Sequence, residues 1–241
     1  MRKINRIKSI APDLRQDPSF NHGLKRAMRK LIKEIIIYEN YVKGRKRWIR
    51  KRPGEFYPKI QIGGGSRLLR GFFNVDIVPP ADLLWDVREG LPFADKSSEF
   101  IFSEHFLEHI DYPVSVKKFI KECFRVLRCG GILVLGVPDS ELAVKAYARR
   151  DKKFFNKAIK IWYSKRHCLS GLDTYIDLLN YHFRDQDDDN KYNPHMWAYD
   201  FEKLKSLLEW AGFFNIRVWK FDKNIANPKR RWGSLYVMAK K

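Results

Sequence analysis

The run S-E-H-F-L-E-H, at positions 103–109, brings two histidines and two carboxylates together. An imidazole, whose ordinary pKa is about 6.5, can accept a proton from a hydroxyl group near neutral pH. Imidazoles and carboxylates are also common ligands of divalent metals. If the run is helical, His105, Glu108 and His109 share one face, because they are three and four residues apart. His195, in N-P-H-M-W-A-Y-D, is a further candidate.

Two kinds of chemistry fit these side chains. In the first, His105, His195 or His109 is a general base that removes a proton from a hydroxyl acceptor. In the second, which we favour less, His105, Glu108, His109 and His195 bind a divalent metal that lowers the acceptor's pKa. The structural alternative is that the Glu108 and His109 pair only braces the end of a sheet.

A glycine-rich segment between positions 59 and 76 indicates a second site. A short apolar run ends in Gly63, Gly64 and Gly65, and a second apolar run ends in Asp76. Consecutive glycines allow a tight turn and a close approach of the backbone to a ligand. An acid at the end of the next strand can accept hydrogen bonds from ribose hydroxyls. The segment therefore predicts a nucleoside-containing cofactor at the carboxyl ends of parallel strands.

The elements that must position these residues alternate between strand and helix, which predicts a parallel α/β sheet. The predicted strands are Ile60–Ile62, Phe72–Asp76, Asp82–Trp85, Phe100–Phe102, Gly131–Val137, Ile216–Phe221 and Leu235–Met238. The predicted helices are a very short one at Ser66–Arg70, then Val116–Leu127 and Phe201–Trp210. Gly130 and Gly131 are expected to end the second of these helices as a cap.

The chain divides into two predicted parts: residues 1–58 form a basic helical arm, and residues 59–241 form the main domain. The arm contains an amphipathic helix over Leu24–Val42, which is expected to end over Gly44, the basic run 45–47 and then Pro53 and Gly54. We expect this helix to pack on its own domain, and a membrane surface is the alternative partner. Residues 139–198 interrupt the pattern and predict an inserted substrate-binding cap. Its aromatic side chains are candidates for a substrate wall: Trp162, Tyr163, Tyr175 and Tyr181.

The formal charge is +20, and residues 1–59 contribute +13 of it. Such an arm favours polyanions, namely nucleic acid, an anionic membrane surface or an anionic glycan. The cysteines, Cys123, Cys129 and Cys168, form neither a disulfide framework nor a C-x-x-C site, which indicates a reducing compartment. The N-terminus lacks the apolar segment of a signal peptide, and no apolar run is long enough to span a bilayer.

Five ordered segments resemble the class I S-adenosylmethionine-dependent methyltransferases, particularly the type 11 group found with polysaccharide and natural-product genes. They are I-Q-I-G-G-G, F-N-V-D, the run from Trp85 to Ile110, E-C-F-R-V-L-R-C-G-G and I-L-V-L-G-V-P-D. The resemblance covers about residues 58–139 and 193–238. It implies a Rossmann-like fold, with a seven-stranded, mostly parallel sheet in the order 3-2-1-4-5-7-6.

The resemblance also implies S-adenosylmethionine as cofactor. The glycines would approach its methionine part, and Asp76 would hold the ribose. The residues implied to bind the cofactor are Ile62, Gly63, Gly64, Gly65, Asp76, Ile77, Asp86, Val87, Ser103, Glu104 and His105. Some relatives carry E-x-x-E-H and a distant histidine as a metal site. In this chain His105 replaces the first glutamate of that pattern.

These observations predict O-methylation of a sugar, a glycan or a related small-molecule hydroxyl. The alternatives are an RNA methyltransferase, which the positive charge would suit, and a non-catalytic partner subunit with the same fold. No N/D-P-P-Y/F-type sequence follows the fourth strand, which argues against methylation of amino groups in nucleic acid. We expect a cytoplasmic protein, with peripheral membrane or polyanion contact through residues 1–52. The sequence gives no indication of the oligomeric state.

Overall fold

The computed structural model describes Ile4, Ile7, Ser9 and residues 19–50, 54–163, 174–184 and 194–241. Parts of the predicted arm and cap therefore lie outside the described residues, including Cys168 and the acidic run 185–189. The side chains of Trp162, Tyr163 and Tyr181 are also outside them.

The sheet has the predicted architecture. It contains seven strands in the order β3-β2-β1-β4-β5-β7-β6, and only β7 runs antiparallel to its neighbours. The order and the reversed last hairpin confirm the predicted fold class. The strands are β1 (Lys59–Ile62), β2 (Phe73–Asp76), β3 (Leu83–Leu84), β4 (Ser98–Glu104), β5 (Leu127–Pro138), β6 (Phe214–Val218) and β7 (Ser234–Lys240).

Helices cover the sheet and build the cap. They are α1 (His22–Arg50), α2 (Val114–Val126), α3 (Ser140–Ala148), α4 (Lys152–Ala158), α5 (Tyr175–Arg184) and α6 (Phe201–Ala211). The helix α2 buries Val116, Phe119 and Ile120 against the sheet, because these apolar residues recur at helical spacing. A separate apolar cluster holds α3, α4 and α5 together, and Tyr175 packs there against Phe155 at 5.0 Å.

Two local predictions around glycines were wrong. Residues 66–70 form turns rather than a short helix. The helix α2 ends at Val126 without a glycine cap, because Leu127 is already extended and begins β5. Gly130 and Gly131 instead lie inside β5, where they exchange backbone hydrogen bonds with Lys241. Lys241, whose backbone pairs with these glycines in the sheet, is more than a hundred positions away in the sequence.

The arm helix is longer than the predicted Leu24–Val42, because α1 continues past Gly44 to Arg50. A Cβ atom at Gly44 would lie 1.6 Å from the carbonyl oxygen of Leu84. The glycine therefore lets the helix touch the backbone of the edge strand β3. One turn further, Trp48 is buried and donates a hydrogen bond to the Pro92 carbonyl at 3.0 Å. This tertiary packing outweighs the helix-breaking tendency of the glycine.

The C-terminal half of α1 packs on its own domain, as the favoured interpretation predicted. Asn40 donates to the carbonyl of Ile77 at 2.9 Å, and Glu34 pairs with Arg88 at 2.8 Å. Leu24 and Leu31, in the first half of the helix, are exposed. Among the described residues, no helix has the length and apolarity needed to cross a membrane.

We predict that Gly44→Ala destabilises the protein. Alanine improves helix propensity by about 1 kcal/mol, but a forced contact with a backbone carbonyl cannot be relieved by a rotamer change. We expect a net loss of about 2 kcal/mol, measured by chemical denaturation. Gly23→Ala in the same helix is the matched control, because the nearest atom to its Cβ would be 3.5 Å away. Equal stability of the two variants would contradict this account of Gly44.

Candidate functional site

Two segments meet because β1 and β4 are neighbouring parallel strands. They are the glycine turn, residues 63–67, and the histidine run, residues 103–109. The register of the two strands pairs Ile62 with Ser103. The residues that follow each strand therefore emerge side by side at the carboxyl edge of the sheet, where ligands bind in open α/β folds. The strand β2 ends on the other side of β1 and brings Asp76 to the same edge.

Asp76 holds the glycine turn. Its carboxylate accepts hydrogen bonds from the backbone N–H groups of Gly65 at 2.8 Å and Val78 at 3.0 Å. Burial raises the pKa of Asp76, and these two hydrogen bonds act in the opposite direction. Each carboxylate oxygen accepts one of these bonds and has a second lone pair, so the group can also accept from ribose hydroxyls. The arrangement fits the role predicted for Asp76.

Position 63 requires a glycine for two reasons, its left-handed backbone conformation and the close approach of the Phe106 ring. It has φ of +71°, and a Cβ atom there would lie 2.4 Å from the ring of Phe106. That ring follows the fourth strand and packs edge-on against Phe119 at 5.6 Å. The glycine turn therefore contacts an aromatic side chain of the histidine run directly. A side chain at Gly64 would similarly meet Gln61, at 2.5 Å.

The residues predicted on the adenine side belong to a charged network that includes the arm. The Asp86 carboxylate accepts from the backbone N–H of Arg88 and pairs with its guanidinium at 2.7 Å. These contacts, with the Glu34 pair, raise the pKa of Arg88, so it stays charged. Ile77 presents its carbonyl to Asn40, and Val87 is buried. No sequence motif marks Glu34 or Asn40, because their roles depend on where α1 docks.

The histidine run is not one helical face, which corrects the prediction. Only Leu107–His109 is helical, as a single 3-10 turn, and His105 has φ of +51°. Its Nε2 lies 2.7 Å from the Ser234 hydroxyl, and its Nδ1 lies 3.6 Å from a Glu108 oxygen. Left-handed backbone in a histidine is uncommon and is often found at functional sites. The turn points His105 toward β7.

Burial, followed by the positive charge of Arg230, holds the pKa of His105 well below its usual value. The imidazole is therefore neutral near pH 7. Two other histidines join Glu108, which is buried: ligand atoms of Glu108, His109 and His195 all lie within 4.8 Å of one another. Three of the four side chains predicted as a metal set thus form one cluster, with His105 beside it.

His195 has a defined tautomer. Its Nδ1 lies 3.1 Å from the backbone carbonyl of His182, which can only accept a hydrogen bond, so Nδ1 carries the proton. In the neutral ring the Nε2 atom then carries the lone pair, and the ring meets that of His109 at 4.9 Å. A cavity of about 10 Å³ lies between Glu108, His182 and His195. It can hold one water molecule or ion.

His182 lines this cavity, although the sequence analysis treated it as an ordinary residue. It lies on the cap helix α5 and is buried. No motif surrounds it, and only the fold of the cap brings it to the sheet edge. Its position shows that the cap contributes to the site, at least through the described helix.

Glu104 and Ser103, predicted beside the cofactor, are both buried. The Glu104 carboxylate accepts from the Tyr236 hydroxyl at 2.7 Å and from the backbone N–H of Asn227 at 2.9 Å. It therefore fastens the segment between β6 and β7. The Ser103 hydroxyl makes no hydrogen bond to any described residue. Neither group faces solvent, so any contact with a cofactor would use their backbones.

Residues 79–135 match a family model described as a methyltransferase domain. An uncharacterised protein of Methanocaldococcus jannaschii is 30% identical over 132 residues, which is 49% of this chain and 60% of that relative. A Methanosarcina mazei methyltransferase structure aligns at 18% identity over 78% of this chain and 93% of that one, with a TM-score of 0.48. One from Archaeoglobus fulgidus aligns at 17% identity over 88% and 94%, with a TM-score of 0.41.

The family match and the strand order together confirm the predicted resemblance to class I S-adenosylmethionine-dependent methyltransferases. The matched region contains Asp86, Val87 and the whole histidine run. S-adenosylmethionine is the cofactor that this domain implies, and the glycine turn with Asp76 fits it. The residue-by-residue roles remain predictions.

We predict that Asp76→Asn weakens cofactor binding but leaves the stability of the protein almost unchanged. The raised pKa means that ionised Asp76 is disfavoured in the folded state. This unfavourable contribution exists above the folded pKa and disappears as the pH falls through it. A neutral amide at pH 7 therefore removes a penalty while losing one of the two backbone hydrogen bonds, and we expect little change in melting temperature. We expect S-adenosylmethionine affinity, measured by calorimetry, to fall about tenfold or more.

Asp82→Asn is the matched control for this variant. Asp82 also accepts a backbone N–H, that of Asn74 at 2.8 Å, but it lies before β3. We expect reduced stability and unchanged cofactor affinity. The reverse pattern, with affinity lost only in Asp82→Asn, would contradict the role assigned to Asp76.

Proposed function

Because residues 79–135 match a methyltransferase domain and the sheet has the class I order, we propose that this protein transfers a methyl group from S-adenosylmethionine to a hydroxyl group of a sugar or glycan. The observation that carries the proposal is the meeting of the glycine turn, Asp76 and the histidine cluster at one sheet edge. The cofactor supplies an electrophilic methyl group. The chain must bind it, align the acceptor and accept the acceptor's proton.

The geometry favours His195 and His105 for the proton. The Nε2 atom of His195 carries the lone pair, because its Nδ1 donates to the His182 carbonyl. His105 is neutral but makes contacts at both ring nitrogens, with Ser234 and Glu108. We therefore assign the base to His195. His105 is a positioning residue beside the glycine turn, and His109 orients the His195 ring.

An exposed aromatic pair beside His195 supports a sugar as acceptor. Tyr112 and Trp197 stack at 4.4 Å with an interplanar angle of 22°, and Trp197 is 44% exposed. Lys203 fixes the pair by donating to the Tyr112 hydroxyl at 2.7 Å. A flat aromatic face of this kind packs well against the C–H face of a sugar. Trp197 is only two residues from the proposed base, so a bound sugar would place hydroxyls within reach.

A metal-assisted reaction is the second candidate. The cluster of Glu108, His109 and His195 offers one carboxylate and two imidazoles, a common ligand set for a divalent metal. The adjacent small cavity would accommodate an ion. In this alternative the metal would lower the acceptor's pKa, and His195 would be a ligand instead of a base.

Two further functions are alternatives: methylation of RNA, which the positive charge would suit, and a non-catalytic role. RNA methylation would use the basic arm for phosphates, and a non-catalytic subunit would use the fold only for binding a partner. We place the protein in the cytoplasm, with contact through residues 1–52 to a polyanion or to the inner face of the membrane. Lysines and arginines in the exposed first half of α1 support this contact.

We predict that His195→Ala abolishes turnover and that His105→Ala reduces it strongly, while S-adenosylmethionine affinity stays within a few-fold of wild type. The reason is that a base is needed only for the acceptor's proton. Methyl transfer is measured against a panel of nucleotide sugars, glycolipids and RNA. His22→Ala is the control, because His22 is exposed at the start of α1. Wild-type turnover in both cluster variants would exclude the proposed mechanism.

Removal of metal by a chelator distinguishes the general-base mechanism from the metal-assisted one. We expect full turnover after dialysis against a chelator, with no stoichiometric metal found by elemental analysis. Loss of turnover that is restored by adding back one divalent metal, and not restored in Glu108→Gln, would instead establish the metal-assisted reaction.

A further inference from the structure

The segment Trp219–Trp232, called here the basic loop, joins β6 to β7. It contains five cationic residues and one acid: Lys220, Lys223, Lys229, Arg230 and Arg231, with Asp222. Because β7 begins where Pro138 ends β5, the loop lies at the carboxyl edge of the sheet. A net charge of +4 in fourteen residues gives this edge a positive potential that attracts anions.

The fold nevertheless holds the loop in place with buried contacts. The Arg67 guanidinium, from the glycine turn, donates to the carbonyls of Ile225 at 2.6 Å and Ala226 at 3.3 Å. Asn227 donates its backbone N–H to Glu104, whose side chain is only 5% exposed. The loop is thus tied to both the glycine turn and the end of β4. Its cationic side chains are presented by a fixed backbone.

Arg230 forms an ion pair with Glu104 at 3.8 Å, but other cations of the loop have no acidic partner in the part of the chain that the structure describes. No carboxylate there forms an ion pair with Lys223, Lys229 or Arg231. Arg231 lies over the ring of Phe221 at 5.6 Å. A groove of about 560 Å³ is lined by three cations and one acid, together with two aromatic residues and an amide: Lys220, Lys223, Arg231, Asp222, Trp219, Phe221 and Asn224.

The basic loop and the start of β7 also contact the histidine run. Arg230 donates to the backbone carbonyl of Glu104 at 3.1 Å, one residue before His105. Ser234, two residues after the loop ends, contacts the His105 ring. The segment that lines the groove and the residues next to it thus belong to the same carboxyl edge as the histidine cluster, where an acceptor whose anion is held by Lys223 and Arg231 would bind.

We propose that the basic loop binds the phosphate or diphosphate of a small acceptor, so that the methylated hydroxyl belongs to a phosphate ester. Arginine and lysine side chains on a fixed loop are suited to phosphate oxygens, and the aromatic rings suit the group attached to the phosphate. The proposal rests on the proposed function for the identity of the acceptor. Phosphate binding itself is independent of it.

The test measures direct binding of inorganic pyrophosphate and of UDP by calorimetry to wild type and to the double variant Lys223→Gln with Arg231→Gln. Arg230 is left intact, because it contacts the histidine run. We expect the dissociation constant for pyrophosphate to rise about tenfold in the variant, because two charge-assisted contacts are lost. S-adenosylmethionine affinity should not change. Tighter binding of UDP than of pyrophosphate would identify a nucleotide-linked acceptor, and equal binding would identify a lipid-linked phosphate.

The matched control is Arg128→Gln with Lys205→Gln, which removes two exposed cations elsewhere on the surface. Equal loss of pyrophosphate binding in both double variants would overturn the proposal, as would the absence of pyrophosphate and UDP binding to wild type. So would an RNA oligonucleotide that binds far more tightly than either and loses its affinity in the loop variant. If pyrophosphate binds as expected but no sugar is methylated, the proposed function fails and the phosphate site stands.

Discussion

The carboxyl edge of the sheet depends on one buried carboxylate, that of Glu104. It accepts the Tyr236 hydroxyl and the Asn227 backbone N–H, and so joins β4, β7 and the basic loop. Burial and the hydrogen bond to Glu104 raise the pKa of the Tyr236 hydroxyl, which therefore keeps its proton and remains a hydrogen-bond donor. Without the carboxylate, buried donors would lose their acceptor, at a typical cost of about 1–3 kcal/mol each. Glu104 belongs to the histidine run and directly precedes His105, so the same contact helps to set the geometry of the run.

The sequence predicted most of the architecture because most of the signals were local. Apolar runs marked the strands, helical spacing marked α2 and α6, and Gly212 ends α6 in the left-handed conformation. The errors share a physical cause. At Gly44 and Gly130 a distant partner, β3 in one case and the chain end in the other, changed what a glycine does. No local pattern contains that information.

The same distinction applies to the candidate site. The glycine turn, Asp76 and the histidine run are contiguous motifs, and parallel strand pairing brings them to one edge. Asn40, Arg67 and His182 reach that edge from α1, the turn and the cap, and their side-chain types carry no signal by themselves. The helical face predicted for His105, Glu108 and His109 was replaced by a tight turn, yet Glu108 and His109 still meet His195. Proximity survived because the 3-10 turn keeps these two side chains near the sheet edge.

The two borders of the sheet are closed to further strands in different ways. At one border β3 is only two residues long, and the close approach at Gly44 places α1 over it. At the other, β6 is exposed, but a register shift between Phe214 and Arg217 and the left-handed Asn215 distort its backbone. Unpaired strand borders promote edge-to-edge aggregation, and covering helices and bulges prevent it. The arm helix therefore also prevents β3 from pairing with a strand of another molecule.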